Sequence, residues 1–177
     1  MPVPIETPRL ILRPWRDSDR EPFARLCADP RVMEHFPACM TADEANALID
    51  RATAYLERDG FTFFAAELRQ TGEFIGFTGM AAAPFDFLKC PEIGWRLAAE
   101  FWNRGLATEG ARAVVRFAFD ELGYDELVAF TVPANVRSRR VMEKLGMTHD
   151  PADDFEHPRL PAGHPLRPHV LYRLRRG

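Results

Sequence analysis

Hydrophobic residues along the chain recur with two different periods. Between residues 41 and 58, and again between 106 and 122, apolar side chains recur every three or four positions, as they do on one face of an amphipathic helix. The apolar runs 61–68 and 74–82 instead flank a tight connection, Gln70-Thr71-Gly72-Glu73, which predicts an antiparallel hairpin. The pattern therefore predicts a chain of mixed helices and strands.

Capping and breaking residues delimit these segments and their neighbours. Thr41 and Glu44 have the spacing of a capping box at the start of the first long helix, and Asp59-Gly60 ends it. Pro, Gly and His crowd residues 151–168, which we expect to form a long loop. The other predicted strands are 5–15, 92–97, 127–132 and 169–174, and the other predicted helices are 21–28 and 135–145. This mixture indicates an α+β (α/β layer) fold in a single domain that spans residues 1–177.

Length and composition narrow the class of protein. The 177 residues, 46% hydrophobic and 28% charged, suit one folded domain. No apolar run approaches the roughly 20 residues that span a bilayer, and the first residues lack the features of a signal peptide, so we expect a cytoplasmic protein. A formal net charge of −3 argues against a protein that coats nucleic acid. We expect no membrane or nucleic-acid partner, and a homodimer is one assembly that the sequence leaves open.

The cysteines and histidines lack the spacing of a metal site. Cys27, Cys39 and Cys90 are odd in number and far apart, so we expect reduced thiols. Three histidines fall in the Pro-rich tail without a close ligand pair: His157, His164 and His169. The sequence therefore predicts that no metal is bound.

The turn Asn103-Arg104-Gly105 joins the strand that ends near Leu97 to the helix that begins near Leu106. Such a turn presents unpaired amide groups at the positive end of a helix dipole, which favours a phosphate group. Gly105 would let the backbone approach an anion, Arg104 would add charge, and the small Ala107 would leave space. The plainer alternative is an ordinary turn followed by residues that suit a first helical turn. The segment lacks the lysine of a P-loop and the glycine spacing of a dinucleotide-binding turn, so the turn alone does not identify the anion.

Three segments together carry a resemblance to a known family. They are Glu92-Ile93-Gly94-Trp95-Arg96-Leu97, Arg104-Gly105-Leu106-Ala107-Thr108-Glu109, and Asn135-Val136-Arg137-Ser138-Arg139-Arg140-Val141-Met142-Glu143-Lys144-Leu145-Gly146-Met147. In these segments the chain resembles the GNAT acetyltransferase superfamily. The stretch Thr7-Pro8-Arg9-Leu10-Ile11-Leu12-Arg13 is similar to the opening strand of the branch that includes the ribosomal-protein N-terminal (Rim-type) acetyltransferases. The resemblance covers nearly the whole chain and is least distinctive on the acceptor side.

The resemblance implies a GNAT fold, a mixed, mostly antiparallel, splayed sheet of about seven strands with helices on both faces. It implies acetyl-CoA as the acetyl donor, bound in the gap between the strands that end near Leu97 and start near Leu127. The pyrophosphate would lie on amides of residues 104–108, and the pantetheine arm would run along residues 93–97. The candidate cofactor-binding residues are Trp95, Arg96, Leu97, Asn103, Arg104, Gly105, Leu106, Ala107, Thr108, Asn135 and Arg140.

The helix predicted at 135–145 has a basic side with two interpretations. Its basic residues could bind the 3′-phosphate of CoA, or they could form a solvated charged face, which their i,i+4 spacing favours: Arg137, Arg139, Arg140 and Lys144. Asn135 is expected to cap this helix, and the resemblance implies that it also contacts the pantetheine arm.

Acetyl transfer to an amine needs a neutral nitrogen, donors for the charge that develops on oxygen, and a proton for the departing thiolate. The resemblance implies a backbone amide near Trp95 or Arg96 as the donor to that oxygen. Many family members protonate the thiolate with a tyrosine, but the corresponding residue here is Met142. Ser138 shares an interior helical face with Met142 and is the candidate acid. Alternatively, Ser138 bonds a nearby backbone group and water protonates the thiolate.

Glu92 is the candidate general base because it opens the strand that is predicted to hold the thioester. The alternative is an exposed carboxylate at a strand end. An N-terminal α-amine, with a pKa near 8, needs little help from a base, whereas a lysine acceptor needs more.

We therefore predict an acetyl-CoA-dependent N-acetyltransferase whose acceptor is a primary amine, either a protein N-terminus or a small molecule. A non-catalytic acyl-CoA-binding or sensing module is the main alternative, since Met142 replaces the tyrosine, and an antibiotic or polyamine acetyltransferase is another. Two groups could border the acceptor site, an acidic one that would attract a cationic amine (Asp153, Asp154 and Glu156) and an aromatic one (Phe85, Phe87 and Trp102).

Overall fold

A computed structural model describes residues 4–177, and within them the strands and helices follow the order that the hydrophobic pattern predicts. The strands are β1 (Ile5–Glu6), β2 (Leu10–Arg13), β3 (Phe63–Leu68), β4 (Phe74–Ala81), β5 (Glu92–Leu97), β6 (Glu126–Thr131), β7 (Thr148–His149), β8 (Phe155–Glu156) and β9 (Pro168–Arg175). The helices are α1 (Arg20–Cys27), α2 (Ala42–Asp59), α3 (Leu106–Arg116) and α4 (Val136–Lys144). The nine described strands exceed the predicted number of about seven because the predicted strand 5–15 is divided into β1 and β2 and because β8 lies within the predicted loop 151–168.

The sheet is open and splits between two central strands. Its order is β1-β2-β3-β4-β5-β6-β9-β7, with β8 paired to β9. β5 and β6 run parallel and pair at a single position, Glu92 with Val128. The other neighbouring pairs of described strands are antiparallel. The predicted mixed, mostly antiparallel and splayed sheet is thus confirmed.

Helices cover both faces of the sheet, as predicted. On one face, Ala111 and Val114 of α3 share an apolar core with Ile93 of β5. On the other face, Phe23 of α1 and Ile49 of α2 pack into a second core that includes the β4 side chain Phe77. Burial of such side chains stabilises each helix against the sheet by roughly 1.5–3 kcal/mol per large residue. None of the described helices has the length and apolar character of a membrane-crossing segment.

Helix α2 begins and ends at the capping residues that were identified in the sequence. The Thr41 hydroxyl accepts a hydrogen bond from the Glu44 amide at 3.2 Å, and the Glu44 carboxylate accepts one from the Thr41 amide at 2.8 Å, which completes the capping box. Gly60 takes φ +78°, a conformation that glycine adopts without strain, and its amide donates to the Leu56 carbonyl.

Three segments differ from the pattern. The predicted strand 5–15 is divided into β1 and β2, because residues 7–9 leave the sheet and contact α3. The helix predicted to reach 122 has α-helical geometry to Arg116 and continues as a π-helical turn over Phe117–Glu121. The predicted loop 151–168 contains a 3-10 turn, Pro151–Asp153, and β8.

Candidate active site

The divergence of β5 and β6 opens a cleft of about 660 Å³. Its walls come from β5, the end of β6, α2, the first turn of α3, and α4. Residues 32–37 between α1 and α2 and parts of the segment 157–169 complete them. All the residues proposed from sequence for catalysis or cofactor binding, except Arg104, line this cleft: Glu92, Trp95, Arg96, Leu97, Asn103, Gly105, Leu106, Ala107, Thr108, Asn135, Ser138 and Arg140. The fold thus brings together side chains from segments that are far apart in sequence.

The turn before α3 exposes backbone donors to the cleft. Asn103 and Gly105 take positive φ values of 58° and 76°, which turn the chain sharply into the helix. The first bond of the helix runs from the Glu109 amide to the Gly105 carbonyl at 3.0 Å, so the amides of residues 106–108 have no acceptor within the described chain. Gly105 stands at the N-cap, where it has no side chain to cap them. These free donors and the helix dipole together make an anion site.

Arg104 contributes its backbone rather than its charge to this turn. Its side chain is exposed, and the guanidinium carbon lies 5.5 Å from the centre of the Phe101 ring. The Arg104 carbonyl accepts a hydrogen bond from Arg9 at 2.9 Å. Arg104 does not line the cleft, so its charge is not placed at the anion site as the sequence predicted.

A set of contacts that the sequence did not reveal holds the first turn of α3 against the connection between β1 and β2. Glu109, in the first turn of α3, accepts hydrogen bonds from the Thr7 hydroxyl at 2.7 Å and from the Arg9 amide at 2.8 Å, and it pairs with the Arg9 guanidinium at 2.6 Å. Burial alone would raise the pKa of Glu109, but these hydrogen bonds and the Arg9 charge outweigh it and lower that pKa. Thr7 and Arg9 belong to the segment that resembles the Rim-type opening, and a contact across about 100 residues explains why local patterns could not show it.

Glu92 lies at the point where the sheet divides, and it lines the cleft. Its side chain is partly buried, and that burial raises its pKa to about 7. No described residue donates a hydrogen bond to its carboxylate or forms an ion pair with it. Burial in the cleft is therefore the cause of the raised pKa. A carboxylate with a pKa close to neutral is suited to accept a proton at physiological pH.

Ser138 lies on the first turn of α4 and also lines the cleft. Asn135 caps the helix by accepting a hydrogen bond from the Ser138 amide at 3.2 Å, and it donates to the Thr131 hydroxyl at 3.0 Å. The Ser138 hydroxyl itself has no partner among the described residues. The backbone bond expected from the plainer interpretation of this serine is therefore absent. Met142, one turn further on, is buried in the core.

The basic residues of α4 separate into three environments. Arg137 pairs with Glu34 at 2.7 Å and lies 4.4 Å above the Trp102 ring, so it joins α4 to the segment between α1 and α2. Arg139 donates to Tyr172 and to the Pro133 carbonyl and does not line the cleft. Arg140 and Lys144 do line the cleft, and neither has an ion-pair partner among the described residues.

The structure contradicts the hypothesis of an acidic acceptor site. The three acidic residues proposed for it have partners elsewhere: Asp153 and Glu156 form ion pairs with Arg173 and Arg167, and Asp154 forms a hydrogen bond with His149. None of the three lines the cleft. Their partners come from other strands and loops, which the spacing of the acids alone could not show.

The aromatic residues proposed for the acceptor side have different positions. Trp102 lines the cleft and donates its indole N–H to the Leu97 carbonyl at 2.8 Å. Phe85 packs with Val128, and Phe87 stacks on Phe85 at 5.4 Å between ring centres. Neither lines the cleft, although Phe85 packs behind the cleft residues Phe130 and His157.

Two histidines that were considered only as metal ligands line the cleft. His157 and His169 have ring centres 5.0 Å apart, and burial lowers the pKa of each, which favours neutral imidazoles at pH 7. Within residues 4–177 no three His, Cys, Asp or Glu side chains come together as a metal ion would require.

Comparison with known proteins agrees with this geometry. Residues 9–148 match the family described as the acetyltransferase (GNAT) domain. The chain belongs to the GNAT acetyltransferase family. The chain thus has the fold of a family of acyltransferases, as the resemblance in the sequence implied.

Individual relatives extend this comparison. The FsC-acetyl coenzyme A-N(2)-transacetylase of Aspergillus fumigatus is 36% identical over 157 residues, which cover 82% of this chain and 65% of the fungal protein. An acetyltransferase structure from Agrobacterium tumefaciens superposes with a TM-score of 0.80 at 28% identity, covering 98% of this chain and 95% of that one. The ribosomal α-N-protein acetyltransferase RimL, in complex with coenzyme A, gives a TM-score of 0.78 over 98% of each chain. At 15% identity, this last likeness shows the fold alone.

Proposed function

We propose that this chain is a single-domain, acetyl-CoA-dependent N-acetyltransferase that transfers acetyl to a primary amine. The observation that carries the proposal is one cleft with free helix-terminal amides on one wall and an unpaired Glu92 carboxylate, with a pKa near 7, on another. Such a cleft combines a place for a phosphate-bearing donor with a group able to accept a proton from an amine.

The cleft fits acetyl-CoA in three respects. The free amides of residues 106–108 suit the pyrophosphate, and the cationic Arg140 and Lys144 suit the remaining phosphate. Beyond Glu92, β5 no longer pairs with β6. The backbone groups on that edge of β5 are therefore available to the pantetheine arm. When bound, acetyl-CoA supplies an activated acetyl group as a thioester.

Two side chains are proposed to move protons at the reaction centre. Glu92 accepts a proton from the acceptor amine, directly or through water, so that the nitrogen is neutral when it attacks. Ser138, which lines the cleft and whose hydroxyl has no partner among the described residues, gives a proton to the CoA sulfur as it departs. Asn135 positions Ser138 through the helix cap, and Trp102 fixes the end of β5 through its bond to Leu97.

Coenzyme A binding and thiol release test this function together. At CoA about 100-fold above its Kd, linkage gives roughly 2.7 kcal/mol of stabilisation, or a rise in Tm of about 5–10 °C for a chain of this size. Thiol release from acetyl-CoA should then exceed background with at least one member of a panel of small amines and N-terminal peptides. No shift in Tm at millimolar CoA would reject the donor assignment. A shift without thiol release would favour the non-catalytic binding module that Met142 leaves open.

Replacing Ser138 by Ala should lower kcat by roughly 10- to 100-fold, because a proton delivered in the transition state is lost while donor binding is kept. The KM for acetyl-CoA should change little. Steady-state kinetics measure both values, and Ser18→Ala, at an exposed serine outside the cleft, is the matched control. An unchanged kcat in Ser138→Ala would assign protonation of the thiolate to water.

A further inference from the structure

Arg96 is an arginine without an acidic partner. It lies on β5 and lines the cleft, and within the described residues no carboxylate lies within ion-pair distance of it. One terminal nitrogen instead contacts the sulfur atoms of Cys27 at 3.3 Å and Met40 at 3.7 Å. The Nε atom is buried and has no hydrogen-bond partner within residues 4–177.

The surroundings of this guanidinium are aromatic rather than acidic. Its central carbon lies 4.4 Å from the centre of the Phe36 ring and 5.4 Å from that of Phe77. By contrast Arg13, the buried arginine of β2, is held by two carboxylates, Asp19 and Glu67. Sulfur atoms are weak acceptors, and a guanidinium has five N–H donors, so most of the hydrogen-bonding capacity of Arg96 is unused.

We propose that Arg96 binds a carboxylate of the amine acceptor, so that the substrates are amines bearing a nearby carboxylate rather than polyamines. The inference rests on the proposed function and concerns the acceptor end of the same cleft. Arg96 and Glu92 are four residues apart on one strand, so their side chains lie on the same face of the sheet. Their Cα atoms are about 13 Å apart along the strand. An acceptor between them presents its amine toward Glu92 and its carboxylate toward Arg96.

The charges around the cleft agree with an anionic acceptor. Glu92 is the one carboxylate among its lining residues in the described chain, whereas Arg51, from α2, lines it without an ion-pair partner. A polyamine would meet one carboxylate and several cations there, which disfavours it. The carboxylate can come from a free amino acid or from an acidic side chain at a peptide N-terminus, because both place it close to a primary amine.

The test uses matched acceptors in the complete protein. Each α-amino acid is compared with its carboxamide, and a peptide that begins Ser-Asp is compared with one that begins Ser-Asn. The kcat/KM for thiol release is measured for the unmodified chain, Arg96→Met, Arg96→Lys and the control Arg116→Met, which removes an exposed arginine outside the cleft. Binding of the same acceptors in the presence of CoA is measured by calorimetry, which does not depend on turnover.

The unmodified chain and Arg116→Met should favour one of the two carboxylate-bearing sets over its uncharged counterparts by roughly 10- to 100-fold in kcat/KM, the value of a charge-assisted hydrogen bond. Arg96→Met should reduce that ratio to within about twofold, and Arg96→Lys should retain part of it. Met suits the sulfur and aromatic surroundings, so the Tm of Arg96→Met, and its rise with CoA, should match the unmodified chain within about 3 °C.

The outcomes separate the subsite from the activity. If no acceptor releases thiol, the proposed function fails, and the calorimetric comparison decides the subsite alone. Preference for the carboxylate partner in the unmodified chain, lost in Arg96→Met, supports the subsite in either readout. The subsite is overturned if each carboxylate-bearing acceptor and its uncharged counterpart have equal kcat/KM and equal affinity. It is also overturned if the preference for the carboxylate survives in Arg96→Met.

Discussion

Replacing Glu92 by Gln should lower kcat/KM for the amine acceptor by about 10²- to 10⁴-fold, the range expected when a general base is removed. Gln keeps the size and polarity of the side chain but cannot accept a proton at neutral pH. Because Glu92 has no partner among the described residues, the change breaks no ion pair that holds the cleft together. Binding of CoA, measured by its effect on Tm, should therefore be preserved.

The pH dependence follows from the direction of the pKa shift. Burial raises the pKa of Glu92 to about 7, so the base form increases as pH rises through 7. The kcat/KM of the unmodified chain should rise across pH 6–8 and then level, after correction for titration of the acceptor amine, and Glu92→Gln should lose this rise. An acceptor pair with amine pKa values near 8 and near 10 separates the two titrations.

Stability supplies an independent readout of the same group. A raised carboxyl pKa means that the folded chain holds the proton more tightly than the unfolded chain, so Glu92 disfavours the folded state increasingly as pH rises from about 4.5 to about 7. Above pH 7, Glu92→Gln should have a higher Tm than the unmodified chain. Glu121→Gln, at an exposed residue outside the cleft, should change neither Tm nor rate. Retention of kcat/KM within about twofold in Glu92→Gln would exclude the role of base.

Local sequence signals predicted the parts of the fold whose causes are local. Thr41 and Glu44 cap α2 with contacts across three residues, and Gly60 ends it in the conformation that glycine favours. Asn135 likewise caps α4, and the sharp turn at Asn103-Arg104-Gly105 leads into α3. In each case the residue types that define the signal also make the contact, so no other part of the chain is needed to interpret it.

Contacts between distant segments lay outside what these signals could predict. Glu109 suits a first helical turn by itself, but its bonds to Thr7 and Arg9 depend on the packing of α3 across β2. The acidic residues of the tail lie beyond the cleft for the same reason, since their ion-pair partners come from other elements, as with Asp153 and Arg173. Burial of Glu92 also depends on the assembled sheet. This burial raises the pKa of Glu92, and no local pattern in the sequence indicates that shift.

Replacing Asp19 by Asn should lower the free energy of unfolding by about 3–5 kcal/mol, because it leaves Arg13 buried with half of its charge partners removed. The Arg13 guanidinium donates to the two oxygens of Asp19 at 2.7 and 2.9 Å, and Glu67 pairs with its Nε at 2.6 Å. The Asp19 carboxylate also accepts a bond from the Arg16 amide at 2.8 Å, which fixes the turn before α1. Arg13 and Asp19 are 5% and 2% exposed, so water cannot replace the lost bonds.

Asp17 provides a matched control for this prediction. It lies two residues away in the same 3-10 turn, and its side chain is 98% exposed beside Arg20. Exposed pairs contribute about 0–1 kcal/mol, so Asp17→Asn should leave the free energy of unfolding almost unchanged. Urea unfolding with both variants, at constant m-value, measures the difference, and Asp19→Asn should melt about 6–20 °C lower. Equal stability of the two variants would mean that Glu67 alone suffices to hold Arg13, and that α1 is fixed to the sheet by its apolar contacts with Phe77 rather than by this ion pair.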